Sequence, residues 1–172
     1  MTDTIARHKI PLLRLTPEAF APYGQVVLTR QTGKQFDANS YKPWENSEEA
    51  QLVLTAGTPR LWIMHQFRRG RRFHQIARHR KITQCLGAME GKEWFMAVAP
   101  PQSHDEDARP RIEDIVAFRI PGDAIIKLAV ATWHAGPHFD HEEAKFINLE
   151  NMDTNHRDFQ AVDLGVECEM VD

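Results

Sequence analysis

Cysteine is scarce in this chain. Cys85 and Cys168 are the only two, and their separation fits neither a metal-binding nor a redox motif. A disulfide framework is therefore not expected, and a reducing compartment is the expected home. Long apolar runs are missing too. No segment approaches the roughly 20 apolar residues that span a bilayer. Residues 1–13 mix Asp3, Arg7, His8 and Lys9 with apolar side chains, so the apolar centre of a signal peptide is not expected there. Neither sign of charge dominates: 21 Lys and Arg face 24 Asp and Glu, a formal net charge of -3. That balance gives no global pull toward nucleic acid or a membrane surface. Internal repeats and low-complexity tracts are absent. What remains is an ordinary globular composition, 42% apolar and 26% charged. Its length suits a single domain over residues 1–172 in a cytoplasmic protein.

The patterning is short in period. Thr16, Pro17 and Glu18 read as a helix start, because Thr can cap, Pro suits the first helical position and Glu suits the positive end of the dipole. Pro22 and Gly24 end that helix after about a turn. Residues 26–29 read as a strand, and residues 30–50 as a polar, turn-rich stretch. Strand-like alternation then recurs at residues 60–65, 81–89, 93–99, 115–120, 125–132 and 145–149. Glu90-Gly91-Lys92 reads as a hairpin turn, Pro121-Gly122-Asp123 as a second turn and Gly136-Pro137 as a break. Residues 100–110 read as a solvated acidic loop. The polar tail after Asn151 is expected to lie along an edge or drape over the surface. Many short strands without long amphipathic helices point to an all-β sandwich or barrel and away from a parallel α/β sheet.

Two segments carry polar side chains suited to chemistry. The first runs from Phe73 to Gln84 and contains His74, Arg78 and His79. The second opens with Pro121-Gly122-Asp123 and reaches Thr132-Trp133-His134. A Pro-Gly-Asp turn, a strand and then a histidine is the layout of the second cupin motif. The first segment fits the first cupin motif loosely, with Ala77, His79 and Gln84 at the positions of its two histidines and its acid. Because alternate residues of a strand share a face, Ala77 lies beside His79. One continuous strand would likewise place Ile126, Leu128, Val130, Thr132 and His134 together. If the barrel closes, His79, Gln84 and His134 converge in one mouth, where an imidazole serves as general base or metal ligand. A divalent metal, if one binds, would be held by His79, Gln84 and His134, a thin and uncharged set of donors. His134, His138 and His141 have helical spacing, but Gly136 and Pro137 oppose a helix there, so a loop of exposed histidines is expected.

Seven of the fourteen residues from 68 to 81 are Arg or Lys. Without interleaved aromatics this run does not read as a nucleic-acid surface. It reads as a salt-bridged face or as an anion-attracting rim around the barrel mouth. Trp62 and Trp94 read as core, as large residues on alternating strands usually are. Strand parity turns Trp133 away from His134, which favours packing over a place in the pocket wall.

With these residues in view, the chain resembles the ureidoglycolate lyase family. The stretch from Leu15 to Gly24, Arg78-His79 with Thr83-Gln84, the strand from Trp94 to Ala99 and Thr132-Trp133-His134 carry the likeness in order. The resemblance implies an all-β, cupin-type jelly-roll β-barrel with a short N-terminal helix, and a homodimer. It implies cleavage of ureidoglycolate to glyoxylate and urea in purine and allantoin nitrogen catabolism. It further implies His79, His134 and Gln84 as catalytic residues, with Arg78, His74 and Trp133 toward a small anionic ureido or carboxylate substrate. A divalent cofactor stays optional. The chain departs from the family pattern at Ala77, Leu128, Ala129, Val130 and Ala135, where family members carry polar groups. Another cupin enzyme acting on a small carboxylate, or a non-catalytic ligand-binding cupin, is the alternative.

Overall fold

A computed structural model describes residues 7–28, 49–55 and 57–172. The turn-rich expectation for residues 30–50 falls almost wholly outside them. Two sheets make up the fold. A closed six-stranded barrel is built from β1 (His8–Arg14), β4 (Arg72–His79), β6 (Gly91–Ala99), β7 (Val116–Gly122), β9 (Trp133–His138) and β11 (Phe159–Val171). A five-stranded sheet lies against it, in the order β2 (Gly24–Leu28), β8 (Ala124–Leu128), β5 (Gln84–Ala88), β10 (Glu143–Asn151) and β3 (Pro59–Phe67). Among the described residues helix is confined to two single turns, α1 (Pro17–Phe20) and α2 (Thr154–Arg157), and a 3-10 turn. The architecture is all-β, as the strand pattern implies, and is the cupin-type jelly roll that the resemblance implies.

Alternation along the strands divides the apolar residues into two cores. Trp94, Met96 and Val98 of β6 face the five-stranded sheet, where they meet Leu86, Ile126, Leu128 and Phe146. Their neighbours Phe95, Ala97 and Ala99 face into the barrel with Ile76, Trp133, Val162 and Cys168. α1 forms as expected: the Thr16 hydroxyl accepts the Ala19 N–H at 3.1 Å, and the turn plants Phe20 in the first core.

Four expectations need correction. The run 125–132 is not one strand, because β8 stops at Leu128 and the chain turns through Ala131, whose φ is 65°. The residues around Gly136-Pro137 do not break the sheet, since β9 continues through them to His138. The tail after Asn151 does not drape. β11 pairs with β4 on one side and with the first half of β1 on the other, while the second half of β1 pairs with β7, which closes the barrel. Glu90-Gly91 is a turn with φ of 62° and 68°, but β5 and β6 belong to different sheets, so it carries the chain between layers and makes no hairpin. The acidic loop at 100–110 is largely exposed as expected.

Candidate active site

The register of the five-stranded sheet sets one wall of a cleft. Arg60 pairs with Glu150 across β3 and β10, and Trp62 with Asn148; Asn148 in turn pairs with Leu86 across β10 and β5. The same spacing brings Gln84 beside Glu150. The Gln84 Nε2 donates to Glu150 Oε2 at 2.8 Å and to Asn148 Oδ1 at 3.3 Å. The other oxygen of Glu150 accepts from Arg60 at 2.7 Å and from the Trp62 indole at 3.1 Å. A carboxylate can only accept, so this network fixes the amide orientation of Gln84. Its Oε1 is left buried and without a partner among the described residues. An unpaired buried acceptor costs stability unless a ligand or water donates to it.

The barrel wall supplies the opposite side. His79 ends β4 and His134 lies near the start of β9, and their rings sit 5.6 Å apart. Both side chains are buried. They lie between barrel and sheet, not inside the six-stranded barrel, since their strand neighbours Arg78 and Trp133 take the barrel-facing side. The cleft has a volume of about 190 Å³ and is lined by His79, His134, Gln84, Asn148, Glu150 and Phe159, with Leu86 and Met64 beneath and Arg69 at the rim. Leu128 packs in the core below, and neither it nor Val130 lines the cleft.

The two imidazoles are held differently. His134 donates its Nδ1–H to the carbonyl of Thr132 at 3.2 Å, so its Nε2 carries the lone pair. Burial, helped by nearby His79, pushes its pKa down to about 3. His79 Nδ1 lies 2.8 Å from the Thr154 hydroxyl, which donates its own proton to Asp158. The chain His79–Thr154–Asp158 therefore carries the N–H of His79 toward a carboxylate whose Oδ1 lies 3.8 Å from Nδ1. Burial raises the pKa of Asp158, but the bonds from His79 and Thr154 and from the Lys81 N–H outweigh it and hold the carboxyl below its ordinary range. Thr154 starts α2 and Asp158 follows it, so this short turn exists to place two side chains behind one ring. Sequence reasoning missed both, and it missed Glu150 as well. The available signal was parity: Asn148 and Glu150 share a face with Phe146 and interrupt an otherwise apolar row.

The structure moves three expected substrate contacts away from the cleft. The Arg78 guanidinium is wholly buried and donates to Gln160 Oε1 at 2.8 Å and to the carbonyls of Ser103 and Asp105 at 2.7 Å each. It lies 4.4 Å over the Trp133 ring. Arg78 therefore plugs the barrel end and pins the acidic loop, and none of its hydrogen bonds reaches the cleft. Trp133 packs inside the barrel and donates to Gln102. His74 is exposed in an outer groove with Arg69, Arg72 and His138. The expected loop of exposed histidines also dissolves. His138 is buried on β9, donating Nδ1–H to the Gly70 carbonyl at 3.0 Å, and only His141 is exposed.

Three of the seven basic residues of the run form ion pairs. Arg71 meets Asp140 and Asp172, Arg72 meets Glu169 and Arg80 meets Glu106. As for a metal, no group of three His, Cys, Asp or Glu side chains able to hold one occurs among the described residues. The donors of the cleft are two imidazole nitrogens and the amides of Gln84 and Asn155, while Glu150 is engaged by Arg60, Trp62 and Gln84. A set without a free carboxylate or thiolate fits a resident divalent ion poorly.

A jelly roll with two imidazoles, an oriented amide and an engaged carboxylate around an open cleft is a cupin-type protein equipped for a small polar molecule. The chain belongs to the ureidoglycolate lyase family, whose model matches residues 7–170, nearly its whole length. No curated protein matches it significantly.

Proposed function

We propose that this protein cleaves ureidoglycolate to glyoxylate and urea, and that His79 is the base. The observation that carries the assignment is the His79–Thr154–Asp158 chain. An imidazole that must take a proton benefits from an anion behind its other nitrogen, which favours the imidazolium as it forms. His134 has no such support, and its burial opposes charge. Neutral at all working pH values, it acts as a fixed acceptor that orients the substrate.

The reaction asks for little beyond proton traffic. His79 Nε2 takes the proton of the substrate hydroxyl, the C–O bond becomes a carbonyl and the C–N bond breaks. The electron pair goes to the departing ureido nitrogen, which receives the proton back from the His79 imidazolium. Urea and glyoxylate result, and the enzyme ends as it began. Proton transfer of this kind contributes a factor on the order of a hundred to ten thousand. Gln84 Oε1, with its partner position open, accepts an N–H of the ureido group. No metal enters any step. Membership of the family and the acceptor-rich cleft support the reading, and the absence of family polar groups at Ala77 and Ala135 leaves the work to fewer residues.

The test is release of glyoxylate and urea from ureidoglycolate above the spontaneous rate, with and without a chelator. Equimolar release that is unchanged by the chelator and lost in the His79→Ala, His134→Ala double variant is the expected result. Release that needs a metal would overturn the acid–base scheme, and no release would overturn the substrate.

A further inference from the structure

The cleft does not end at the histidine pair. A groove of about 250 Å³ continues from it along the outer face of β4 and β9, past Ala77 and His134 to Gln75, His138 and Arg69. Two polar groups in this groove are unexplained by the chemistry above. Arg69 is exposed at the rim and, unlike Arg71, Arg72 and Arg80 of the same basic run, has no acidic partner among the described residues. His138 is 2% exposed. Its Nδ1–H is committed to the Gly70 carbonyl, which makes Nε2 the lone-pair nitrogen, and that atom is buried with no partner.

We infer that Arg69 and His138 form a recognition subsite for a carboxylate that bears an N–H or O–H donor on its α carbon. The guanidinium takes the carboxylate, and His138 Nε2 takes the adjacent donor. A buried acceptor that cannot turn to water stays unsatisfied until a ligand donates to it, so it selects by rejecting ligands that cannot. Burial and the nearby Arg69 charge push the His138 pKa down to about 4, so the ring stays an acceptor at neutral pH. This subsite rests on the proposed substrate class but holds its ligand apart from the reacting carbon, since no described cavity is lined by both His79 and His138, and it is testable without turnover.

The probe is ureidoacetate, which has the carboxylate and the α N–H but no hydroxyl and so cannot be cleaved. Its binding is measured by calorimetry beside 3-ureidopropionate, in which the N–H is one carbon further away. The wild type is expected to prefer ureidoacetate by at least about tenfold. Arg69→Gln, a surface change that leaves folding alone, is expected to weaken both ligands about tenfold or more. His138→Asn keeps a donor for the Gly70 carbonyl and removes Nε2; it is expected to erase the preference while leaving 3-ureidopropionate within about twofold. A wild type that binds neither ligand at millimolar concentration, shows no preference, or is matched by both variants would overturn the subsite. Binding that depends on both residues in a protein that releases no glyoxylate would keep the subsite and remove the lyase reading. Normal glyoxylate release with variants that bind like wild type would do the reverse.

Discussion

His79 and His134 share a side chain and a cleft, yet their surroundings divide the work between them. Burial holds one ring neutral against the pull of a backbone carbonyl, and a hydroxyl backed by a carboxylate stands behind the other. If Asp158 supports the imidazolium, Asp158→Asn lowers kcat by about ten- to a hundredfold with a smaller change in KM, because the support matters only as charge develops. Thr154→Val behaves likewise and Thr154→Ser restores the rate. A loss confined to KM in steady-state kinetics would contradict the positioning role. His79, Gln84 and His134 were legible in the sequence because they fall in two recognisable segments. Thr154 and Asp158 were not, since they lie 75 residues and more beyond His79 in a polar stretch without a motif. Arg78 faces away from His79, as strand parity alone implies, and its partners lie in the acidic loop and β11.

At the level of elements, two glycines mark where the chain crosses between layers. Gly91 opens β6 just after the turn from β5, Gly122 closes β7 before the turn into β8, and the two are cross-strand partners. A Cβ on Gly122 would stand 2.1 Å from the Gly91 carbonyl carbon and 2.4 Å from the Lys92 nitrogen. Backbone cannot yield as a flexible side chain can, so Gly122→Ala is expected to cost more than about 2 kcal/mol in urea unfolding; a loss below about 0.5 kcal/mol would show the corner to be compliant. Short alternating runs and turn residues made most strands readable beforehand. The split of the 125–132 run was hidden because Ala129 to Thr132 carries no Gly or Pro to mark the turn. β11 was hidden because its outward side is acidic and its burial depends on β1 and β4, both distant in sequence.

For the molecule as a whole, two buried neutral histidines tie stability to pH. Above pH 6.5, the ordinary imidazole value, both rings are neutral whether the chain is folded or not, and they add no slope. Below it the unfolded chain takes up protons that the folded one refuses, down to about 4 for His138 and about 3 for His134. The folded protein therefore loses stability as pH falls from 6.5 toward 4, with an uptake approaching about two protons on unfolding. His134→Asn should remove about one of them in urea titrations across that window, and an unchanged slope would contradict a buried neutral His134. The barrel-and-sheet architecture was legible at this scale from composition and spacing. The position of the site between the two layers was not, because which face of β4 and β9 meets the second sheet is decided by long-range pairing.

The most direct test of the account compares glyoxylate release from ureidoglycolate by the wild type with that of His79→Asn and His134→Asn, each checked for folding. The account predicts that His79→Asn falls to near the spontaneous rate, while His134→Asn retains measurable turnover with a raised KM. Full activity in His79→Asn, or no activity in the wild type, would contradict it.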